Sequence, residues 1–259
     1  MDRDHAATVR RSFTGQAEAF ESKRFVGNLV TEGEWVLDHL DPPEGAVALD
    51  VAAGSGHAAR GLARRVASVV ALDLTPAMLE AGRVAAEHEG LRNITFACGD
   101  ALDLPFLDAS FDVVVSRFAA HHFEEPRRLL AEMQRVTRPG GQLMVADLVA
   151  DNDTAVADEQ NRIEQLRDPS HVRCLSATEL TQLVDELGVS DLKVEERTTA
   201  RPVAPWLGQT TKAPRAESTI RAAFDAELAG GTPTGMGPHR RDHELWFEQR
   251  FVAVTARRR

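Results

Sequence analysis

The sequence predicts an α/β fold in which a doubly wound, parallel β-sheet carries helices on both faces. Over the first 150 residues, short apolar runs that are typical of buried strands alternate with stretches whose apolar residues recur at helical spacing. Strand–helix repetition of this kind builds a parallel sheet, and right-handed crossovers place helices on both of its faces. Ligands of such sheets bind outside the carboxyl ends of the strands, so the loop after each strand is a candidate for the site.

The individual elements follow from these runs and from the residues that begin and end helices. The predicted strands are 47–51, 68–73, 93–98, 111–116 and 143–149. Apolar stripes at helical spacing lie over 58–66, 78–85 and 129–136. Thr75 and Pro76 are typical of the start of a helix, whereas Pro139, Gly140 and Gly141 are expected to end the third helix.

The second half of the chain is less regular. Its predicted elements are a polar helix over 152–167, a helix that begins with the capping box of Ser176 and Glu179, a helix around 220–228, and strands over 191–199 and 247–256. Between residues 201 and 243 the chain has five prolines and a glycine-rich stretch, a composition that favours an insertion.

The composition disfavours several classes of protein. Lys and Arg number 30 and Asp and Glu 40, so the formal net charge of −10 disfavours a nucleic-acid partner. No apolar run approaches the ~18–20 residues that span a bilayer, and the first residues lack the apolar core of a signal peptide. Cys98 and Cys174 have no paired spacing, which fits a reducing cytoplasm and argues against a disulfide framework. We therefore expect a cytoplasmic globular protein that does not insert into membranes, and the oligomeric state stays open.

A glycine-rich loop follows the first predicted strand. Gly54 and Gly56 let the backbone turn tightly and approach a ligand, and the next helix would direct its N–H groups toward that ligand. With Ala59 they satisfy the dinucleotide-binding pattern G-x-G-x-x-[GA]. A nicotinamide or flavin enzyme therefore has to be considered, and so does a tight turn that binds nothing.

Three carboxylates at successive strand ends narrow the choice of ligand. Asp50 lies inside the end of the first strand, where its charge would repel a pyrophosphate and suit an ammonium group. Asp73 ends the second strand and can accept from both hydroxyls of a ribose, and Asp100 after the third strand can accept from an adenine amino group. S-adenosylmethionine has an amino group, a ribose and an adenine but no phosphate.

A family resemblance rests on four segments: LDVAAGSGHAA (49–59), VVALDLTPAMLE (69–80), GDALDLPFLDASFDVVVSRFAAHHF (99–123) and RVTRPGGQLMVAD (135–147). In order and spacing they resemble the class I S-adenosylmethionine-dependent methyltransferases, within the group that includes ubiquinone and menaquinone biosynthesis enzymes. FTGQAEAF (13–20) and RDPSHVRCLS (167–176) are similar to a small-molecule subgroup. The resemblance implies a Rossmann-like sheet of seven strands, of which the last, 247–256, is antiparallel.

The same resemblance implies one domain over residues 1–259. Residues 1–40 would form an N-terminal helical lid, 41–150 the cofactor-binding core and 201–243 a cap insertion beside the acceptor. Segment 201–238 matches no fixed pattern of the family. A lid is expected to exclude water from the transfer and to fix the geometry of the reactants.

Carried over to this chain, the family's cofactor site involves residues after four strands. The methionine end would be held by Asp50, Ala52, Gly54 and Gly56, the ribose by Asp73, the adenine by Leu74, Met78, Asp100 and Ala101, and the sulfonium would lie above Ser116, Arg117 and Phe118. Alternatives remain open, since Asp73 and Asp100 could be helix N-caps and Met78 could simply pack in the core.

The acceptor side is expected to carry the remaining chemistry. His121 and His122 follow the fourth strand, and a histidine is suited to removing a proton from a phenol or enol near neutral pH, with His171 as the fallback candidate. A metal held by the two adjacent histidines lacks an evident third ligand. The acceptor pocket would include Phe20, Arg173 and Trp206, the lid Phe13, Phe20 and Phe25, and the cofactor carboxylate would meet Lys23 and Arg24. For each of these residues a packing or solvent-exposed role is the alternative.

Together these observations predict an enzyme that moves a methyl group from S-adenosylmethionine to a small aromatic or quinone-like acceptor and releases S-adenosylhomocysteine. Methylation at oxygen, nitrogen or carbon is left open. A cofactor-bound protein without methyl transfer would share every cofactor residue, and a nicotinamide-dependent oxidoreductase is disfavoured by Asp50 and Asp100.

Overall fold

The computed structural model of the chain describes residues 2–21, 35–210 and 214–259. Its strands are β1 (Val47–Val51), β2 (Ser68–Asp73), β3 (Ile94–Cys98), β4 (Phe111–Arg117), β5 (Thr137–Leu148), β6 (Ser190–Pro202), β7 (His239–Arg241) and β8 (Glu244–Arg257). The helices used below are α1 (Arg3–Phe20), α2 (His57–Ala63), α3 (Pro76–His88), α4 (Pro126–Val136), α5 (Thr154–Arg167), α6 (Ala177–Asp185), α7 (Val203–Leu207) and α8 (Ala216–Leu228). A short 3₁₀ turn, Ala120–His122, follows β4.

The strands of the described ranges form one sheet with the order β3-β2-β1-β4-β5-β8-β6, and β7 pairs with β8 beside this path. Neighbours from β3 to β5 are parallel, whereas β8 lies antiparallel to both β5 and β6. Strand order reverses at β1, which has β2 on one side and β4 on the other. A crevice opens at such a reversal because the loops on its two sides lead to opposite faces of the sheet.

The prediction of a doubly wound sheet is confirmed, with two differences in detail. Helix α4 stops at Val136 and the chain enters β5 at once, so Pro139, Gly140 and Gly141 lie in an irregular part of the strand and do not end the helix. The Gly140 N–H donates to the carbonyl oxygen of Arg258 (2.7 Å), and this bond holds the irregular part in place.

The second difference is an eighth strand. The seven-strand path is as expected, but β7 adds three residues inside the predicted insertion and pairs antiparallel with β8. Three residues are too few to show a periodicity in sequence. The insertion also buries an apolar cluster of its own against α5 and β8, formed by Ile163, Val203, Trp206, Leu207, Ile220, Phe224, Met236 and Phe247.

The core lies on both faces of the sheet. On one face Leu49 of β1 belongs to the same apolar cluster as Leu129 and Met133 of α4. On the other face Ala48 belongs to the cluster that contains Leu62 of α2. Adjacent residues of β1 thus point to opposite faces, as the alternation of side chains along a strand requires. Because both faces are covered, the strand ends and their loops are where the sheet meets ligands.

No helix in the described part of the chain is both long enough and apolar enough to cross a membrane. Cys98 is exposed, Cys174 is buried, and both are free thiols.

Candidate functional site

A large cavity lies at the carboxyl ends of β1, β2 and β4, beneath helix α1. It encloses about 1310 Å³, counted with its opening to solvent. The predicted site residues that line it are Phe20, Ala52, Gly54, Asp73, Leu74, Met78, Asp100, Ala101, Arg117, Phe118, His121, His122 and Trp206.

Five predicted residues lie outside the cavity lining. Asp50, Gly56 and Ser116 sit behind its wall, on or next to β1 and β4. The His171 ring is buried next to His121, and the half-exposed guanidinium of Arg173 binds the Glu179 carboxylate on the surface (2.9 Å). Arg173 therefore does not form the pocket wall that its sequence position suggested.

The glycine loop has the backbone conformation that its composition predicts. Gly54 has a φ of +56° and Gly56 a φ of +74°, in the left-handed region that favours glycine. A Cβ at Gly56 would lie 3.0 Å from the Phe96 ring, so a side chain there would push against β3. The loop therefore passes close beneath the cavity and begins α2 directly behind it.

Asp73 and Asp100 stand at neighbouring strand ends, as expected. Asp73 accepts from the Gly54 N–H and from the Thr75 N–H, each at 2.8 Å, and burial raises the pKa of its carboxyl. Asp100 accepts from the Leu102 N–H at 2.9 Å. Both carboxylates also line the cavity. Neither is a helix N-cap, since Thr75 is the N-cap of α3 and a turn follows Asp100.

Asp50 differs from its predicted role. Its side chain is buried and accepts from the Ala59 N–H of α2 at 2.9 Å. Burial raises its pKa to about 7, against the opposing effect of the Arg117 cation. A carboxyl that is partly protonated at neutral pH carries little repulsion toward a pyrophosphate, so the electrostatic argument from Asp50 against a dinucleotide is weakened.

The structure distinguishes His121 from His122, which the sequence left equivalent, and both from the fallback candidate His171. Asp147, at the end of β5, accepts from the His121 backbone N–H (2.8 Å) and from the His121 ring Nδ1 (2.6 Å). Because a carboxylate can only accept a hydrogen bond, the proton of the neutral His121 ring lies on Nδ1, and Nε2 is unprotonated. Burial alone would lower the pKa of His121, but the Asp147 charge outweighs it and the pKa lies above its ordinary value.

His122 and His171 have less capacity to take up a proton. The His122 Nδ1 donates to the carbonyl of Ser170 (2.9 Å), and burial together with the neighbouring His121 lowers the pKa of His122 to about 4. The His171 Nε2 donates to the side-chain oxygen of Asn161 (3.0 Å), and burial depresses its pKa far below the ordinary value. Both rings are therefore neutral at physiological pH and weak as bases.

Helix α1 covers the cavity along one face. Val9, Phe13, Gln16 and Phe20 line it at helical spacing. The Phe13 ring meets the His122 ring edge-on at a centroid distance of 5.1 Å. Helix α1, the described part of the predicted lid, thus lines one side of the cavity, whereas Lys23, Arg24 and Phe25 lie outside the described residues.

Several residues at the site were not predicted from the sequence. Asp147 stands behind His121, and His57, Arg201, Gln209 and Gln249 line the cavity. The one signal for Asp147 was its place at a strand end, the same signal that identified Asp73. The others lie on helix α2 or in the second half of the chain, where periodicity does not show which side chains face a ligand. Among the described residues, no group of three His, Cys, Asp or Glu side chains is arranged to hold a metal ion.

Comparisons with known proteins agree with this geometry. The sequence profile of the methyltransferase domain matches residues 49–145. The uncharacterized methyltransferase YcgJ of Bacillus subtilis is 38% identical over 131 residues, 51% of this chain and 52% of the relative. The ubiquinone/menaquinone biosynthesis C-methyltransferase UbiE of Dinoroseobacter shibae is 38% identical over 153 residues, 56% of this chain and 60% of the relative. The chain thus spans about half to three fifths of the length of these curated relatives.

A solved structure extends the likeness beyond the matched domain. A Bacillus halodurans protein, provisionally described as a methyltransferase, superposes with a TM-score of 0.79 at 26% identity and covers 88% of this chain and 99% of its own. The likeness therefore includes elements of the second half of the chain as well as the strands around the glycine loop. In its glycine loop, its sheet order and its relatives, the chain is thus similar to methyltransferases, in sequence over residues 49–145 and in fold over most of its length.

Proposed function

We propose that this protein transfers a methyl group from S-adenosylmethionine to a small aromatic or quinone-like acceptor. The observation that carries the proposal is one cavity in which a glycine loop and the carboxylates of Asp73 and Asp100 face a row of aromatic side chains and a histidine. Relatives such as the quinone-biosynthesis enzyme support the acceptor class.

The residues present fit the proposed cofactor. Gly54 and Ala52 would approach its methionine end, Asp73 its ribose, and Leu74, Met78 and Asp100 its adenine. Met78 is fully buried and also lines the cavity, so packing in the core and contact with an adenine are compatible roles. When bound, S-adenosylmethionine supplies the methyl group, which its sulfonium activates for in-line transfer.

The chain itself contributes position and the exclusion of water. Phe13 and Phe20 of α1 close the cavity from above, and Phe118 lines it directly after β4. Holding two reactants in a fixed geometry removes much of the entropic barrier of a reaction between them. A closed apolar wall also keeps water from competing with the acceptor.

Where the acceptor carries an acidic hydroxyl or carbon, His121 would remove its proton. In the neutral ring Nε2 is unprotonated and can accept that proton, since Asp147 holds the ring proton on Nδ1. Asp147 is thus a positioning residue: it orients the ring and stabilises the imidazolium that forms. His122 and His171 lack a carboxylate partner of this kind and would shape the pocket.

The test is binding followed by turnover. S-adenosylhomocysteine at about 100 times its Kd should stabilise the folded protein by about 2.7 kcal/mol, read as a rise in Tm. Phenolic and quinone-like acceptors are then screened for formation of S-adenosylhomocysteine from S-adenosylmethionine. Binding without turnover across the panel would favour a cofactor-bound protein that does not methylate. If NADH stabilises the protein and S-adenosylhomocysteine does not, the proposed cofactor is wrong.

A further inference from the structure

The acceptor end of the cavity contains a buried amide whose hydrogen-bonding capacity is unused by the protein. Gln249 lies on β8, is only 8% exposed and lines the cavity. Its side chain makes no hydrogen bond to any residue that the structure describes. An amide that meets the cavity without a protein partner is satisfied there by water or by a ligand.

The surroundings of Gln249 combine donors with flat apolar surfaces. On the same face of the sheet, Gln249 pairs with Thr199 of β6, and two residues further along Arg201 pairs with Phe247. The buried guanidinium of Arg201 also lines the cavity and lies 5.6 Å from the ring centre of Phe251. An arginine can only donate, so an oxygen that accepts hydrogen bonds is the group that suits both side chains.

The aromatic rings define the shape of the space beside these donors. The Phe118 and Phe251 rings are 5.2 Å apart, and Trp206 lines the same cavity from α7. Flat apolar walls of this kind accept a planar ring, and a few polar groups placed among them fix its orientation.

On the basis of the function proposed above, we propose that the Gln249 amide binds an sp² oxygen of the methyl acceptor, a carbonyl or carboxylate oxygen carried on a flat aromatic body. Gln249 would then select among acceptors, because a ligand without this oxygen leaves the amide unpaired in a closed site. Gln249 acts on binding and orientation and has no role in holding the cofactor.

The experiment measures binding of three matched probes in the presence of saturating S-adenosylhomocysteine. The probes are 2-naphthol, 6-acetyl-2-naphthol with a neutral carbonyl, and 6-hydroxy-2-naphthoate with a carboxylate. The wild-type protein should bind at least one oxygen-bearing probe more tightly than 2-naphthol. Gln249→Met keeps the length of the side chain and removes the amide, and it should reduce that preference by about fivefold to tenfold, the worth of one hydrogen bond. The probe that shows the loss identifies the oxygen as carbonyl or carboxylate.

Gln182→Met on the exposed face of α6 is the matched control and should leave the preference unchanged. Affinity for S-adenosylhomocysteine should stay within about twofold in both variants, which also shows that they fold. Should Gln249→Met not fold, Gln249→Asn retracts the amide by one methylene and should weaken the same preference.

Three results would overturn the inference: equal affinity of the wild type for all three probes, no probe binding at all, or a preference that survives in Gln249→Met. Each of these leaves binding of S-adenosylhomocysteine intact, so the inference would fail while the proposed function stands. Failure of the wild type to bind S-adenosylhomocysteine would instead refute the proposed function.

Discussion

At the scale of single residues, the chemistry of the site depends on which polar groups share a hydrogen bond. His121 and His122 are adjacent in sequence and both line the cavity, yet the His121 ring is hydrogen-bonded to a carboxylate and the His122 ring to a backbone carbonyl. A charge pair in a buried site favours the protonated imidazole, whereas burial without such a pair disfavours it. Adjacent residues of one type therefore acquire opposite shifts in pKa.

The first prediction concerns this pair. For an acceptor that loses a proton, His121→Ala should lower turnover by about 10²–10⁴-fold, whereas His122→Ala should lower it much less. The base must be neutral to act, so kcat/KM should rise with pH through a midpoint above 6.5, the raised pKa of His121. Asp147→Asn should move that midpoint to lower pH, and a pH profile of each variant measures the shift.

A purely structural role for Asp147 would reduce activity without moving the midpoint. Ring ¹⁵N shifts of labelled protein provide a second readout that needs no acceptor. They should show the His121 proton on Nδ1 in the wild type and a changed tautomer or a lower pKa in Asp147→Asn. A wild-type His121 protonated on Nε2 would contradict the assignment.

The second prediction concerns Asp73. Asp73→Ala should weaken S-adenosylhomocysteine binding by about 1.5–3 kcal/mol, because it removes hydrogen bonds between a carboxylate and the ribose. Isothermal titration calorimetry of wild type and variant gives the difference in Kd. Asp103→Ala, in the turn after β3 and outside the cavity lining, is the control and should bind as the wild type does. Equal affinities for Asp73→Ala and wild type would remove Asp73 from the cofactor site.

At the scale of elements, helix α1 is held over the cavity at several points. Near its start the His5 ring nitrogen Nε2 donates to the His122 carbonyl (2.7 Å), and in its middle the Ser12 hydroxyl donates to Asp168 (3.3 Å). At its end Glu21 pairs with the buried Arg60 of α2 (3.1 Å). These contacts bridge elements that face the two ends of the cavity, so release of α1 would expose the whole site.

The third prediction follows from the last of these contacts. Glu21→Gln removes the negative charge that pairs α1 with Arg60 of α2. A partly buried ion pair contributes about 1 kcal/mol, so its loss should raise the dissociation rate of S-adenosylhomocysteine roughly fivefold. Stopped-flow measurement of cofactor release tests this. Glu80→Gln breaks an exposed pair on α3 and should leave the rate unchanged. Identical rates for Glu21→Gln and wild type would show that α1 does not gate release.

At the scale of the whole molecule, the ionisation of the buried Asp50 carboxyl is coupled to folding. Asp50 has its pKa raised to about 7 by burial, while an exposed Asp ionises near 3.8. Between these values the folded state holds a proton that the unfolded state has lost. The stabilising contribution is therefore complete below about pH 3.8 and is lost as the pH rises through 7.

The fourth prediction tests that dependence. Asp50→Asn removes the titration and keeps an oxygen that can accept from the Ala59 N–H. Relative to the variant, the free energy of unfolding of the wild type should fall as the pH rises from 4 to 8. The fall should be at most about 4 kcal/mol, which corresponds to a pKa change from 3.8 to about 7. Urea denaturation at several pH values measures it. The exposed Asp38→Asn is the control, and parallel curves for Asp50→Asn and wild type would contradict the prediction.

Much of the sheet could be read from the sequence because strands and helices have their own periods. Strands β1 to β4 lie within one residue of their predicted bounds, and Gly54 and Gly56 adopt the positive φ that only glycine adopts readily. The prolines and glycines of residues 201–243 predict an insertion, but the β7 strand within it was too short to carry a pattern. The irregular start of β5 also escaped prediction, since it depends on pairing with β4 and on the backbone of Arg258.

The sequence by itself determined the fold, the glycine loop and the carboxylates at the ends of β2 and β3, because each of these is a property of a short stretch of chain or of its position after a strand. Only the tertiary structure decided that His121 and not His122 meets Asp147, that Asp50 is hidden behind the cavity, and that Gln249 lines the cavity. His121 and Asp147 are 26 positions apart, and the loop and strand that carry them meet through packing of the sheet. Such contacts depend on which faces of separate elements are buried together, and no local periodicity encodes that.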